Sequence, residues 1–394
     1  MGKNLMKGNS HLAGGLIAAS TIGVLAWHGN AWGIGALVSI PSLVFTQKTH
    51  LAAGLVALSY YAAASWPVVT VSKSYLASSS FSLVPISVWI IASLLLASPW
   101  LVAWTVQPGQ MVWRNIGALL VTAVPPLGLI GWASPLTAAG VLFPGTGWCG
   151  IAAVAILPML LLRSSVRILM ILAATIVSAI TNIVYTAPTV PPGFVTVDTH
   201  ISSRQGHSDP EAEFAADQTI QSSMLRQEAK VIILPEGVVE QWTDAKQAFW
   251  EPTLVQLASA GKTALIGVTK PIPGSAQFFN AILVAGAAKS ELILQRVPVP
   301  LGMWKPIGPK DGVPLQLRSP GTFQIENQRL AILICYEQLL VWPILQSVVE
   351  RPTVLVGIAN ERWTSRTNVP AAQRACLHSW GRLFRIPVLA AVNT

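Results

Sequence analysis

The spacing of apolar and polar positions divides the chain into two halves. Up to residue 185 the apolar residues come in long runs, at 12–27, 31–45, 51–71, 84–106, 116–132, 147–162 and 168–185. A bilayer core of about 30 Å needs roughly 20 apolar residues as helix. These seven runs therefore predict a bundle of about seven membrane helices, the first two of them short. An eighth, short or re-entrant segment is expected near 136–143. The first run carries no small-residue cleavage site and is read as a retained helix rather than a signal peptide. Residues 186–193, TAPTVPPG, form a Pro-rich exit linker.

Beyond the linker the runs shorten and alternate. Strands are expected at 194–199, 231–234, 263–269, 278–285, 321–324, 330–335, 353–359 and 388–392, with an extended segment at 292–299. Helices are expected at 211–229, 249–259, 343–349 and 371–384. Strands alternating with helices make a sheet covered by helices. The architecture predicted is a membrane domain over residues 1–187 and an α/β domain over 188–394.

Two strands end in reactive groups. Val231-Ile232-Ile233-Leu234-Pro235 stops at Glu236, and Leu330-Ala331-Ile332-Leu333-Ile334 stops at Cys335. Strand ends are where α/β folds place chemistry, because the scaffold is rigid and the space beyond it is open. Taken singly, each has a plain structural reading: a buried small hydrophobe for the Cys, a turn or helix-start residue for the Glu. Together they supply a nucleophile and a base. A thiol attacking a carbonyl must lose its proton, and a carboxylate can take it.

Charge changes the picture more than composition does. Of 394 residues 52% are hydrophobic and 10% charged, too apolar for an ordinary soluble protein. No Asp or Glu precedes Asp198, whereas seven basic residues do. With a cytoplasmic N-terminus, Lys3, Lys7, Lys48, Arg114, Arg163 and Arg167 all fall inside and only Lys73 falls outside. Seven spans then place the second half on the outer face of the inner membrane, the periplasm of a Gram-negative cell. The net charge of +9 is thus a topology signal and not a nucleic-acid footprint. Three Cys and six His without paired spacing give no disulfide framework, no metal site and no metal cofactor. Spans without Asp or Glu argue against an ion-coupled transporter.

The segments LPEGVVEQW, ICYE, GIANERW and GRLFRIPVLAAVNT resemble the nitrilase, or carbon–nitrogen hydrolase, superfamily. That resemblance implies an αββα sandwich with a Glu base, a Lys and a Cys nucleophile, each at a strand end. It assigns Glu236 and Cys335, with Tyr336 and Glu337 as substrate-binding neighbours. Glu337 stands equally as a cap of the following helix. Preceded by membrane spans, the whole is similar to the apolipoprotein N-acyltransferases, which carry an acyl chain from a phospholipid on their Cys. The charge split and ICYE strand also resemble the TraB-type conjugal-transfer proteins of rhizobial-type plasmids. The partners implied are membrane lipid, a lipoprotein or pilus subunit, and other conjugation proteins.

The lysine does not carry over. Aligning VPLGM at 299–303 with the family motif puts Gln295 at the lysine position and Met303 at a family Glu. Arg296 is the candidate replacement cation, with Lys305 and Lys310 on the following loop. An alternative thiol partner is His378 on the helix at 371–384. The chain also stops at Thr394, where the acyltransferases continue with further strands and a last membrane helix. Two functions follow: a membrane-anchored thiol acyltransferase or amide hydrolase, or a catalytically impaired relative serving as a structural component of the conjugation apparatus.

Overall fold

The computed structural model describes residues 2–75, 83–163, 165, 167–201, 210–308 and 310–394. They form two compact units. One comprises 1–188 with 339–345 and 366–386; the other comprises 189–338, 346–365 and 387–394.

The first unit is helical: α1 (Gly2–Ala26), α2 (Ala31–Ala36), α3 (Ile40–Phe45), α4 (His50–Ser65), α5 (Pro67–Tyr75), α6 (Val84–Ala103), α7 (Met111–Ala123), α8 (Ala138–Leu142), α9 (Trp148–Arg163) and α10 (Arg167–Val184). Several expected spans are broken, each at an identifiable residue. The run 31–45 splits into two short helices around a 3-10 turn at Leu37–Ser39, with Pro41 opening the second. The run 51–71 bends by 47° where Pro67 follows Trp66. The run 116–132 leaves the helix after Ala123, ahead of Pro125-Pro126. Among the described residues two helices, Val84–Ala103 and Arg167–Val184, are long and apolar enough to cross a membrane, or three if the bent pair is one span. The segment expected near 136–143 is helical, a 3-10 turn at Pro135–Thr137 running into α8.

Large aromatics fill this unit, and two of the fully buried tyrosines have their hydroxyls paired, as burial favours. Trp100 Nε1 donates to Tyr61 Oη (3.0 Å), and Tyr60 Oη donates to Ala133 O (2.9 Å). α14 (Val369–Phe384), a helix late in the chain, also belongs here. Its Ser379 Oγ donates to Thr137 O at 2.6 Å, and Arg382 Nη2 to Asn182 Oδ1 at 2.7 Å. Glycine at 140 is what permits the approach, since a Cβ there would lie 1.8 Å from Ser379 O.

The second unit is built on two sheets. In the first, β1 (Phe194–Thr196), β2 (Val231–Ile233) and β3 (Thr263–Pro271) run parallel, and β4 (Ala276–Gly286) and β5 (Glu291–Leu294) continue antiparallel, with β6 (Asp311–Gly312) on β4. The second has the order β10-β9-β8-β7, from β7 (Phe323–Ile325), β8 (Gln328–Ile334), β9 (Val354–Asn360) and β10 (Val388–Asn393). The period of two decides the layers. Val231 and Ile233 join Ile332, Ile334, Val356 and Ile358 in one core between the sheets. Ile232 and Leu234 turn the other way, to α11 (Pro210–Leu225) and α12 (Asp244–Ser259), where Ile220, Met224, Trp250 and Leu257 cover them. α12 begins five residues before its expected start because Thr243 caps it, accepting from Lys246 N at 3.3 Å. β5 ends at Leu294, short of the expected 299: the N–H groups of Arg296 and Val297 go to a carboxylate, Glu337, instead of a strand, and Pro298 and Pro300 have none to give. α13 (Val341–Val349) follows the turn after β8.

A candidate thiol–carboxylate site at the strand ends

β8 delivers Cys335 in a left-handed backbone conformation, φ +52°, at the head of a 3-10 turn, Cys335–Leu339. A non-glycine residue held there is a strained one, and strain of this kind collects at functional turns. The loop after β2 brings Glu236 beside it. The glycine at 267, on β3, lets that loop sit down, since a Cβ would lie 1.9 Å from Pro235 O.

Cys335 and Glu236 are hydrogen-bonded side chain to side chain, and both are buried. The other partners of Glu236 orient it. Asn280 Nδ2 donates to Oε1 at 2.6 Å, and the backbone N–H of Asn360 donates to Oε2 at 2.9 Å. Burial raises the carboxyl pKa above the ordinary carboxylate value, while the bonds from Cys335, Asn360 and Asn280 lower it. Burial pushes the Cys335 thiol well up, and Glu236 adds to the rise; the backbone amides of Tyr336 and Asn360 act the other way. Both shifts favour the protonated forms, so the thiol rests protonated beside a carboxyl group whose oxygens are held in place, where a cation-assisted site would hold a thiolate.

Gln295 occupies the gap where a lysine was expected and is wholly buried. Its Oε1 accepts from Asn280 Nδ2 at 3.0 Å, and its Nε2 donates to Ile334 O at 3.1 Å, the carbonyl just before the nucleophile. Two neutral amides, Asn280 and Gln295, thus link Glu236 to Ile334 O. Asn280 was missed from the sequence; the signal for it was a lone amide inside the apolar strand Phe278–Val284.

Glu337 lies one turn past the thiol and is 1% exposed. Its Oε1 accepts from the backbone N–H groups of Arg296 and Val297 (3.0 Å for the latter), and its Oε2 accepts from Ile334 N at 3.0 Å. These bonds run back to β8 and to the segment after β5, so Glu337 does not cap the next helix. The carboxylate ties the segment after β5 to the turn that carries Cys335. Arg296 completes the tie: its guanidinium lies 3.7 Å from Glu337 Oε2 and donates to Ser347 Oγ (3.1 Å) and Ile332 O (3.3 Å). The positive charge expected at the thiol is thus engaged with Glu337. Tyr336 is half-buried, and burial raises its phenol pKa. Lys305 pairs with Asp311 at 2.7 Å. His378 belongs to α14 in the other unit and is exposed, with its pKa lowered by partial desolvation and by Arg374.

Two curated relatives extend over almost the whole chain. One, the conjugal transfer protein TraB of Agrobacterium fabrum (strain C58), is 30% identical over 401 residues, covering 96% of this chain and 92% of that protein. The chain belongs to the TraB family of conjugal transfer proteins. A probable TraB of Sinorhizobium fredii (strain NGR234) is 29% identical over 387 residues, covering 96% and 97%. No protein-family model matches the chain. Similar solved structures include an amidase of the nitrilase superfamily from Nesterenkonia AN1, as a cysteine-to-alanine mutant. It is 11% identical, with a TM-score of 0.34, over 52% of this chain and 79% of that one. A glutamate-to-glutamine mutant of that amidase, with an acetamide moiety added at its active-site cysteine, is 12% identical at the same TM-score. The chemistry assigned to this TraB-family chain rests on its own residues.

Proposed function

We propose that this member of the TraB family is a membrane-anchored thiol acyltransferase or amide hydrolase of plasmid conjugal transfer. Its substrate is a lipid-linked or pilus-type acyl compound at the outer face of the inner membrane. The observation that carries this reading is the hydrogen bond between Cys335 and Glu236 at a strained strand end. Glu236 takes the thiol proton as Sγ attacks the carbonyl carbon, and a tetrahedral intermediate forms. Glu236 returns that proton to the departing amine or alcohol, leaving a thioester on Cys335. An amine acceptor or water then breaks the thioester, again with Glu236 as proton carrier. Asn280 and the Asn360 amide fix the two carboxylate oxygens, and Glu337 and Arg296 hold the turn.

The test is intact-protein mass spectrometry of the membrane-extracted chain after incubation with acyl donors. A hydroxylamine-labile adduct on Cys335, and loss of plasmid transfer by Cys335→Ala at normal protein level, are expected. No adduct, with full transfer by the variant, sinks the enzyme reading. One observation favours a second reading, a structural role in the conjugation apparatus: Gln295 stands where a lysine was expected and turns its amide to a backbone carbonyl.

The same proposal fixes orientation. With a cytoplasmic N-terminus and a multi-pass membrane region, a reporter active only in the periplasm should be active when fused after Thr199. It should be silent when fused after Lys48. The reverse pattern would put Cys335 in the cytoplasm, away from lipoproteins and pilus subunits.

A further inference from the structure

We infer that the groove between α6 and α7 binds an anionic phospholipid, with the phosphate on Arg114 and an acyl chain along the apolar wall. The inference rests on the membrane reading of the helical unit but not on the chemistry at Cys335. The groove is an open cavity of about 460 Å³, walled by Pro99, Val102 and Ala103 of α6 and by Gly117 and Val121 of α7, with Leu127 beyond them. Pro99 sits inside α6, where it has no N–H to give the helix, and Gly117 contributes no side chain; a Cβ at 117 would meet nothing within 4 Å. Proline on α6, the helix long and apolar enough to cross a bilayer, and glycine on the shorter α7 thus leave a hollow between the two.

Arg114 also lines this groove. Its Nε donates to Gln110 Oε1 at 2.9 Å and its Nη1 to Val102 O at 3.4 Å, which set the guanidinium at the groove's edge. A guanidinium has five donors in a planar fork, so a phosphate can still be held by two of them. An apolar cleft of a few hundred Å³ with one well-placed polar group is the ordinary form of a ligand site. Net charge chooses the headgroup. No Asp or Glu occurs anywhere in residues 1–188, 339–345 or 366–386, the whole helical unit. Nothing there offers a carboxylate to the ammonium of a zwitterionic lipid, so the excess positive charge selects a phosphate diester that is net negative.

The experiment uses the full chain, delipidated in detergent and titrated with phosphatidylglycerol or phosphatidylcholine, bound lipid being counted by native mass spectrometry. Wild type should favour phosphatidylglycerol by roughly fivefold, the ~1 kcal/mol of one arginine at an anionic surface. Arg114→Gln should abolish the preference. Gly117→Leu, which fills open space, should weaken both lipids. Binding of phosphatidylglycerol unchanged in Arg114→Gln and Gly117→Leu overturns the inference. Displacement of the lipid by inorganic phosphate also overturns it, since the site would then be one for free phosphate. Carbonate extraction of membranes separates the two ideas. Release of wild type would defeat the membrane reading; retention with unaltered variants would defeat the lipid site alone.

Discussion

Gln295→Lys should bring alkylation of Cys335 down from above the ordinary thiol range towards neutral pH. In wild type the thiol is held protonated by burial and by Glu236, so labelling is expected to be slow at pH 7 and to rise only at alkaline pH. The sign follows from the charged forms: a carboxylate beside a thiol disfavours the thiolate, and an ammonium favours it. Gln295 already touches both ends of the site, through Asn280 to Glu236 and through Ile334 O to the backbone of the nucleophile. A lysine there places a cation where an opposite charge within ~4–6 Å shifts a pKa by roughly 1–3 units. Gln295→Met, uncharged and similar in length, separates charge from packing and should leave the alkylation profile high. The measurement is the rate of Cys335 alkylation against pH, with Cys149 replaced because it is the exposed thiol. If Gln295→Lys folds and alkylates as wild type does, the assignment of this position as the site's missing cation is wrong.

This experiment also bears on why the chain departs from the thiolate pattern. A protonated thiol next to an oriented carboxylate reacts only when substrate binding, or removal of the proton by Glu236, changes the balance. The amide chain Asn280–Gln295 holds that carboxylate without adding charge. A buried lysine would carry a desolvation cost of its own. The neutral chain avoids that cost and gives up oxyanion and thiolate stabilisation in return.

The strand-end residues were legible because their signal is local. An apolar run that stops at one polar residue names both the strand and its end, and Glu236 and Cys335 announce themselves that way. Asn280 was not legible by the same rule, because it lies inside a strand and acts sideways across the sheet. Glu337 was visible as a carboxylate near the nucleophile. Its partners were not, because Arg296 N and Val297 N come from a segment some 40 residues away that has left the ladder. The helical half shows the limit of composition. Hydropathy found the apolar runs but not the breaks at Pro41, Pro67 and Pro125. Nor did it find that α14, which separates β9 from β10 in the chain, belongs to the helical unit.

Removing Glu337 should cost the protein stability before it costs anything else. Its two oxygens accept from three backbone N–H groups and face the Arg296 guanidinium, and both side chains are almost fully buried. Truncation to Ala leaves those donors and that charge without their acceptor. Breaking a buried pair from one side typically costs about 3–5 kcal/mol, chiefly the penalty of the charge left behind. Glu337→Gln keeps an acceptor for the amides and loses the charge, so it should be destabilised less. In the Glu337→Gln background, Arg296→Met should cost less than it does alone, because the buried guanidinium no longer has a carboxylate to lose. Thermal unfolding of the purified chain, followed by a probe in the α/β unit, gives the order. A Glu337→Ala protein as stable as wild type, with only its acylation altered, would mean that this carboxylate serves the substrate after all. The reverse, lost stability shared by Glu337→Ala and Arg296→Ala, identifies the pair as what holds Cys335 in its left-handed turn. Alkylation of Cys335 should then speed up in both variants as the turn relaxes, because burial and Glu236, the largest causes that keep the thiol protonated, weaken together.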